Sequence, residues 1–98
     1  MPTRLDLAPR ALADLERLAE FLLASDIHAA AQTTRILIQG LQILKGHPLM
    51  GRKVELNFRE LLISRGRTGY VALYKYSVES DAVTIYAIRH QREDNFLD

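Results

Sequence analysis

Polar and apolar residues alternate over Thr3-Arg4-Leu5-Asp6-Leu7, which predicts a short strand with Leu5 and Leu7 on its buried side. Pro9 ends the strand and opens a helix, because the first helical turn does not need the amide proton that proline lacks. Over roughly residues 9 to 24, Ala11, Leu15, Leu18 and Leu22 recur at four-three-four spacing, and Leu12, Ala19 and Leu23 widen the stripe. Ser25 and Asp26 interrupt the run and offer side-chain oxygens to cap a second helix over roughly 27 to 46, in which Ala30, Thr34, Leu37, Leu41 and Leu44 keep the spacing. Lys45 lies where the helix dipole favours a cation, Pro48 stops the helix, and Gly51 frees the following turn. So short a connection folds the two helices into an antiparallel hairpin.

From Val54 onward the period changes to two. Arg59 to Arg65, Tyr70 to Tyr76 and Ala82 to Ile88 read as three strands, separated by turn residues at Arg65-Gly66-Arg67-Thr68-Gly69 and Glu79-Ser80-Asp81. They predict an antiparallel meander. The fold class is therefore α+β, a two-layer sandwich of an N-terminal short strand, a helical hairpin and a three-stranded sheet, with residues 1–98 forming one domain. A last turn centred on Glu79-Ser80 pairs Tyr76 with Val83, Tyr74 with Ile85 and Ala72 with Ala87, leaving Val71, Leu73, Tyr86 and Ile88 together on the opposite face. Two helices cover only one face of such a sheet. The other needs the C-terminal tail, a second copy or a different chain.

Composition narrows the chemistry. There is no cysteine, which excludes disulfides, thiolate metal sites and a cysteine nucleophile and suits a reducing cytoplasm. No basic segment leads into an apolar run at the N-terminus, and no stretch of eighteen residues is apolar without a charge, so neither a secretion signal nor a membrane span is expected. The three histidines, His28, His47 and His90, are too scattered for one metal, the glycines form no phosphate loop, and the serines stand in no nucleophile elbow. No metal or cofactor is expected.

Charge is distributed unevenly. Residues 1 to 44 carry four basic and five acidic side chains, 45 to 76 seven and two, and 77 to 98 two and five. The cations Arg52, Lys53, Arg59, Arg65, Arg67, Arg89, His90 and Arg92 form the one cluster of chemical interest. Arg65 and Arg89 end strands and can point off one rim of the sheet toward the Arg67 turn, where guanidinium groups suit phosphate contacts and Tyr70 offers a stacking ring. The plainer reading, favoured by the charge pattern alone, has these arginines solvating strand ends and pairing with Glu55, Glu60, Glu93 and Asp94.

Several strings, in order, resemble the RelE/ParE toxin superfamily from about Leu5 to Asp94. They are Ala13-Asp14-Leu15 with Phe21-Leu22, Leu41-Gln42-Ile43-Leu44 running into Pro48-Leu49-Met50-Gly51-Arg52, then Arg59-Glu60-Leu61, Gly69-Tyr70-Val71-Ala72-Leu73-Tyr74 and Ile85-Tyr86-Ala87-Ile88-Arg89-His90. The resemblance implies the toxin half of a type II toxin–antitoxin pair, of the kind described as plasmid stabilisation, with a cognate antitoxin protein covering part of it. One branch of the superfamily, similar to RelE, cuts messenger RNA on the ribosome and has arginine where this chain has Val71, and a C-terminal phenol where this chain has Phe96. The other, similar to ParE, blocks DNA gyrase by binding.

The losses at Val71 and Phe96 favour the ParE-like branch, with no catalytic residues on the chain. Target contact then falls to Arg59, Arg65, Arg67, Arg89, His90 and Arg92, the cations nearest the strand ends. Antitoxin contact falls to the apolar stripes, at Leu15, Leu22, Leu37, Leu41, Tyr74 and Tyr86, although ordinary core is the commoner fate of such stripe residues. In the alternative, a ribosome-dependent endoribonuclease, Arg65, Arg67, His90 and Arg92 carry the work. A third class is a relative that still binds an antitoxin-like partner and poisons nothing.

Overall fold

The computed structural model describes residues 3–23, 26–65, 68–93 and 96. Five strands form one mixed sheet: β1 (Arg4–Leu7), β2 (Arg52–Lys53), β3 (Arg59–Arg65), β4 (Thr68–Ser77) and β5 (Ala82–His90), in the order β1-β5-β4-β3-β2. Helices α1 (Pro9–Leu23) and α2 (Ile27–Gln42) cover one face. The three-strand meander is present as predicted, and the sheet grows by one strand at each edge. β1 lies parallel to β5, from Arg4 opposite Ala82 to Leu7 opposite Ile85. β2, which the sequence pattern did not reveal, adds two residues beside β3.

Asp26 caps α2 as its residue type requires, accepting from the amides of His28 (3.0 Å) and Ala29 (3.1 Å). The helix then tightens into a 3-10 turn, Ile43–Lys45, so the predicted end at residue 46 is reached with a change of pitch. Leu37, Leu41 and Leu44 from this element, with Ala11, Leu15 and Leu18 from α1, close over Ile63, Ala72, Tyr74, Ile85 and Ile88. The widened part of the α1 stripe does not join them, for Leu12 and Leu23 stay exposed.

The expected pairing of β4 with β5 holds for Tyr76 with Val83 and Tyr74 with Ile85, and then slips. A β-bulge at Tyr86 puts Leu73 opposite Ala87 and Ala72 opposite Ile88. One extra residue on a strand reverses the facing of all that follows. Ile88 is therefore turned into the helix-covered core, where it is fully buried, and not onto the opposite face as the unbroken alternation predicted.

That opposite face is also less bare than expected. Val71 is only 7% exposed and Ala87 is buried. Phe58, from the segment before β3, and Phe96, from the C-terminal tail, line a groove over Leu73, and the Arg89 guanidinium lies 5.1 Å from the Phe96 ring centre. Of the covers considered above, the chain's own tail supplies part, which removes the need for a second protein over that part. Leu62 and Tyr86 remain exposed there, with Tyr86 edge-on to Phe58 at 5.3 Å.

The turn from β4 to β5 is fastened by Asp81, which adopts left-handed backbone (φ 48°). Its Oδ1 accepts from the Tyr76 hydroxyl and the Thr3 hydroxyl, each at 2.8 Å, tying the turn to the N-terminal strand. Those two donors, Tyr76 first, hold the Asp81 carboxyl below its usual range. A carboxyl with a lowered folded-state value stabilises the fold at pH above its ordinary value of 3.8 and loses that contribution as pH falls through the folded value. Asp81→Asn, which tolerates the same backbone, should therefore lower stability at neutral pH and flatten the loss of stability below about pH 4, read from melting temperature against pH.

Candidate functional site

The segment that leaves α2 is fixed from beneath by two side chains of the sheet. The Tyr74 hydroxyl donates to the Pro48 carbonyl (2.9 Å) and accepts from the Gly51 amide (2.8 Å). Arg59 Nη1 donates to the carbonyls of Leu49 (3.1 Å) and Gly51 (2.9 Å). Burial raises the Tyr74 pKa despite the Gly51 amide, so the phenol keeps its proton and remains a donor. Gly51 has no room for a side chain: a Cβ would stand 2.6 Å from the Tyr74 ring and 2.8 Å from the Glu60 carbonyl oxygen. Next to it Arg52 pairs with Glu60 across the β2–β3 ladder at 2.8 Å. The strings Pro48-Leu49-Met50-Gly51-Arg52 and Arg59-Glu60-Leu61 are thus two halves of one clamp.

A second device joins α1 to β5. Beyond Ile85 the strand has no β1 beside it, and α1 supplies the missing partners: Asp14 Oδ2 accepts from the Ile88 amide at 2.9 Å, and Arg17 Nη2 donates to the Ile88 carbonyl at 3.4 Å. Arg17 also holds Glu93 at 3.1 Å, and the Glu93 carboxylate in turn accepts from the His90 amide at 2.8 Å. Neither Asp14 nor Arg17 figures among the candidates drawn from the sequence. The available signal was a carboxylate on the apolar stripe, since Asp14 lies three residues after Ala11 and four before Leu18.

The six cations proposed for target contact do not form one cluster. The ladder does bring Arg65 opposite Thr68 and Tyr70 opposite His90, so one rim of the sheet gathers the end of β3, the start of β4 and the end of β5. The Arg65 side chain and Arg67 lie outside the described residues. His90 accepts the Arg92 amide on Nδ1 at 2.9 Å, which places the proton of its neutral ring on Nε2, and its ring meets Tyr70 edge-on. Arg92 is exposed. Arg59, six residues back along β3, is roughly 20 Å from Arg65. Arg89 is bound to the chain itself, donating to the carbonyls of His90, Gln91 and Glu93, the last at 2.6 Å.

The residues proposed for antitoxin contact divide as sharply. Leu15, Leu37, Leu41 and Tyr74 are core, with no surface to offer while the chain stays folded; the Leu22 side chain lies outside the described residues, and Tyr86 is 39% exposed. Large apolar side chains do reach the surface elsewhere, at Phe21 (82% exposed), Leu23 and Ile27 around the hairpin, and at Ile38, Ile43, Leu49 and Met50 along α2 and its clamped exit. Among the described residues no group of three His, Asp or Glu side chains could hold a metal, and no helix is long and apolar enough to cross a membrane.

With this geometry in place, comparison with known proteins is informative. Residues 5–95 match the family of ParE toxins of the type II toxin–antitoxin system parDE. A curated relative, Toxin RelE3 of Caulobacter vibrioides, is 39% identical over 88 residues, covering 90% of this chain and 94% of its own length. Among solved structures, a chain of the chromosomal ParDE system from P. aeruginosa superimposes with a TM-score of 0.73 at 17% identity, over 88% of this chain and 92% of that one. A chain of the toxin–antitoxin complex RelBE2 from Mycobacterium tuberculosis does so with a TM-score of 0.64 at 20% identity, over 95% of each.

Proposed function

The chain belongs to the ParE toxin family of type II toxin–antitoxin systems, and from that membership we propose that it acts in the cytoplasm as one toxin domain that blocks DNA gyrase by binding, and that a cognate antitoxin protein neutralises it. The observation that carries the choice of target is the face of the sheet away from the helices. Phosphate chemistry needs preorganised donors with N–H groups left over to aim at the charge that develops in the transition state. Here Val71 stands between Leu62 on β3 and Arg89 on β5. Valine offers no donor, leucine offers none, and the arginine has its Nη1 engaged by three carbonyls of its own chain and its Nε buried. Phe96 lies against that arginine and carries no hydroxyl to take or give a proton.

A binding inhibitor asks only for surface, and the rim at the ends of β3 and β5 supplies the basic part of it. The RelE-like reading keeps two supports: the name of the Caulobacter relative, and His90 and Arg92 adjoining on that rim. The proposal is tested by adding the purified chain to gyrase and relaxed plasmid, where supercoiling should stop. The pair Arg65→Ala with Arg67→Ala should fold normally and abolish that inhibition, since the sequence makes both arginines candidates for target contact. Supercoiling that proceeds unhindered at saturating chain would remove gyrase as the target.

A further inference from the structure

We propose that Arg17, which lies on α1 and is not among the cations assigned to target contact, is a positioning residue for that contact: through Glu93 it sets the turn that carries His90 and Arg92. The proposal rests on the reading of the rim as the surface that meets gyrase. Glu93 closes the turn at the end of β5 from both sides, its amide donating to the His90 carbonyl (3.0 Å) and its Oε1 accepting from the His90 amide (2.8 Å). Inside the turn the Arg92 amide donates to His90 Nδ1 (2.9 Å), which fixes the tautomer of the ring, and the ring stands edge-on to Tyr70 with centroids 5.3 Å apart. The direction of the His90 ring and the place of Arg92 therefore follow from where the Glu93 carboxylate is held.

Arg17 holds it. Nη1 reaches Oε2 at 3.1 Å and Nη2 reaches Oε1 at 3.4 Å, the two-pronged grip of a guanidinium on a carboxylate. The guanidinium is itself anchored, for Nη2 also donates to the Ile88 carbonyl at 3.4 Å and lies 3.7 Å from Oδ1 of Asp14, one helical turn earlier. Leu15 and Leu18, which bracket Arg17 in sequence, belong to the core, so this part of α1 cannot shift without opening it. A helix packed on the core thus sets the geometry of a turn at the surface. Charge adds a second effect. Without Arg17 the Glu93 carboxylate would be an unbalanced anion bonded to the His90 amide and one residue from Arg92, and it would offset the positive field of the rim.

The test uses the full chain and purified gyrase holoenzyme. Arg17→Met keeps the apolar stem and removes the guanidinium, and the concentration needed to halve supercoiling should rise by roughly tenfold, the equivalent of one charge-assisted bond. Arg17→Lys, which can reach the carboxylate with one ammonium but not with a fork, should recover part of that loss. Thr3→Val controls for stability alone: it removes a bond to Asp81 at the other end of β5 and should leave inhibition as in wild type. The 15N shifts of the neutral His90 ring give a readout that lost stability does not move. In wild type and in Thr3→Val they should report a proton on Nε2, and in Arg17→Met they should move toward the average of the two tautomers. If Arg17→Met leaves the ring signals in place, or weakens inhibition no more than Thr3→Val, Arg17 does not position the rim. Ring signals that move while inhibition is unchanged overturn the proposal as well, because the turn then takes no part in target contact. Should wild type fail to inhibit, the gyrase reading falls by itself, and the ring signals still decide whether Arg17 sets the turn.

Discussion

Gly51→Ala is expected to destabilise the chain by about 3 kcal/mol, the upper end of what overpacking costs, which for a domain of this size lowers the melting temperature by roughly 10–20 °C. A Cβ at that position meets a phenol that is fully buried and a backbone carbonyl of the neighbouring strand, and neither is the free end of a flexible side chain. Relief requires moving the loop away from β3, which breaks the bonds from Tyr74 and Arg59 together. Tyr74→Phe removes the hydroxyl and leaves the Gly51 amide and Pro48 carbonyl without partners, at about 1–3 kcal/mol. Because the same hydroxyl is one of the atoms a Cβ would strike, the double variant should cost less than the sum of the two. Chemical denaturation of the three variants checks the cycle; strict additivity, or a Gly51→Ala chain as stable as wild type, would mean that the clamp is not what holds the loop.

The second large effect is expected at Asp14. The residue is 5% exposed, and its side chain is the acceptor for the Ile88 amide where β5 has run past its neighbouring strand. Asp14→Ala removes a charge-assisted bond and orphans a buried donor, for about 3 kcal/mol. It also takes away the carboxylate that stands 3.7 Å from Arg17, whose guanidinium holds Glu93 and with it the start of the tail. Asp14→Asn keeps an acceptor and should cost about half as much. Amide exchange discriminates between local and global effects: the Ile88 amide should lose protection in the alanine variant beyond the loss set by its lower global stability. Unaltered relative protection at Ile88 would show that Asp14 does not serve that amide.

How far the fold could be read in advance depended on whether a feature is periodic. The helices and the three central strands announce themselves through spacing, because burying a stripe demands it. The bulge at Tyr86 leaves no such trace: Ile85-Tyr86-Ala87-Ile88 alternates well enough, and only the three-dimensional ladder reveals that Ile88 has changed face. Partner strands for β1 and β2 depend on contacts across the whole chain, which local pattern does not encode. The candidate site was legible in residue type more than in role. Residue type and position near a strand end single out Arg59 and Arg89 as cations, but do not reveal that each also bonds carbonyls of its own chain. Leu37 and Leu41 are candidates for partner contact only as members of an apolar stripe, whose commoner fate is core, and with Tyr74 they lie at the centre of the core. Within the strings that carry the family resemblance, Gly51, Arg59 and Asp14 are each fixed by a bond or a close approach that another residue would lose.

The claim on which the rest depends is that this toxin acts by occupying its target and not by cutting RNA. It is tested most directly by mapping messenger RNA ends in a translation reaction to which the purified chain has been added in excess. Intact messages, with Arg89 tied down and Val71 at the centre of the face, are the predicted outcome. New ends appearing at codons held in the ribosome, and lost on His90→Ala with Arg92→Ala, would contradict it.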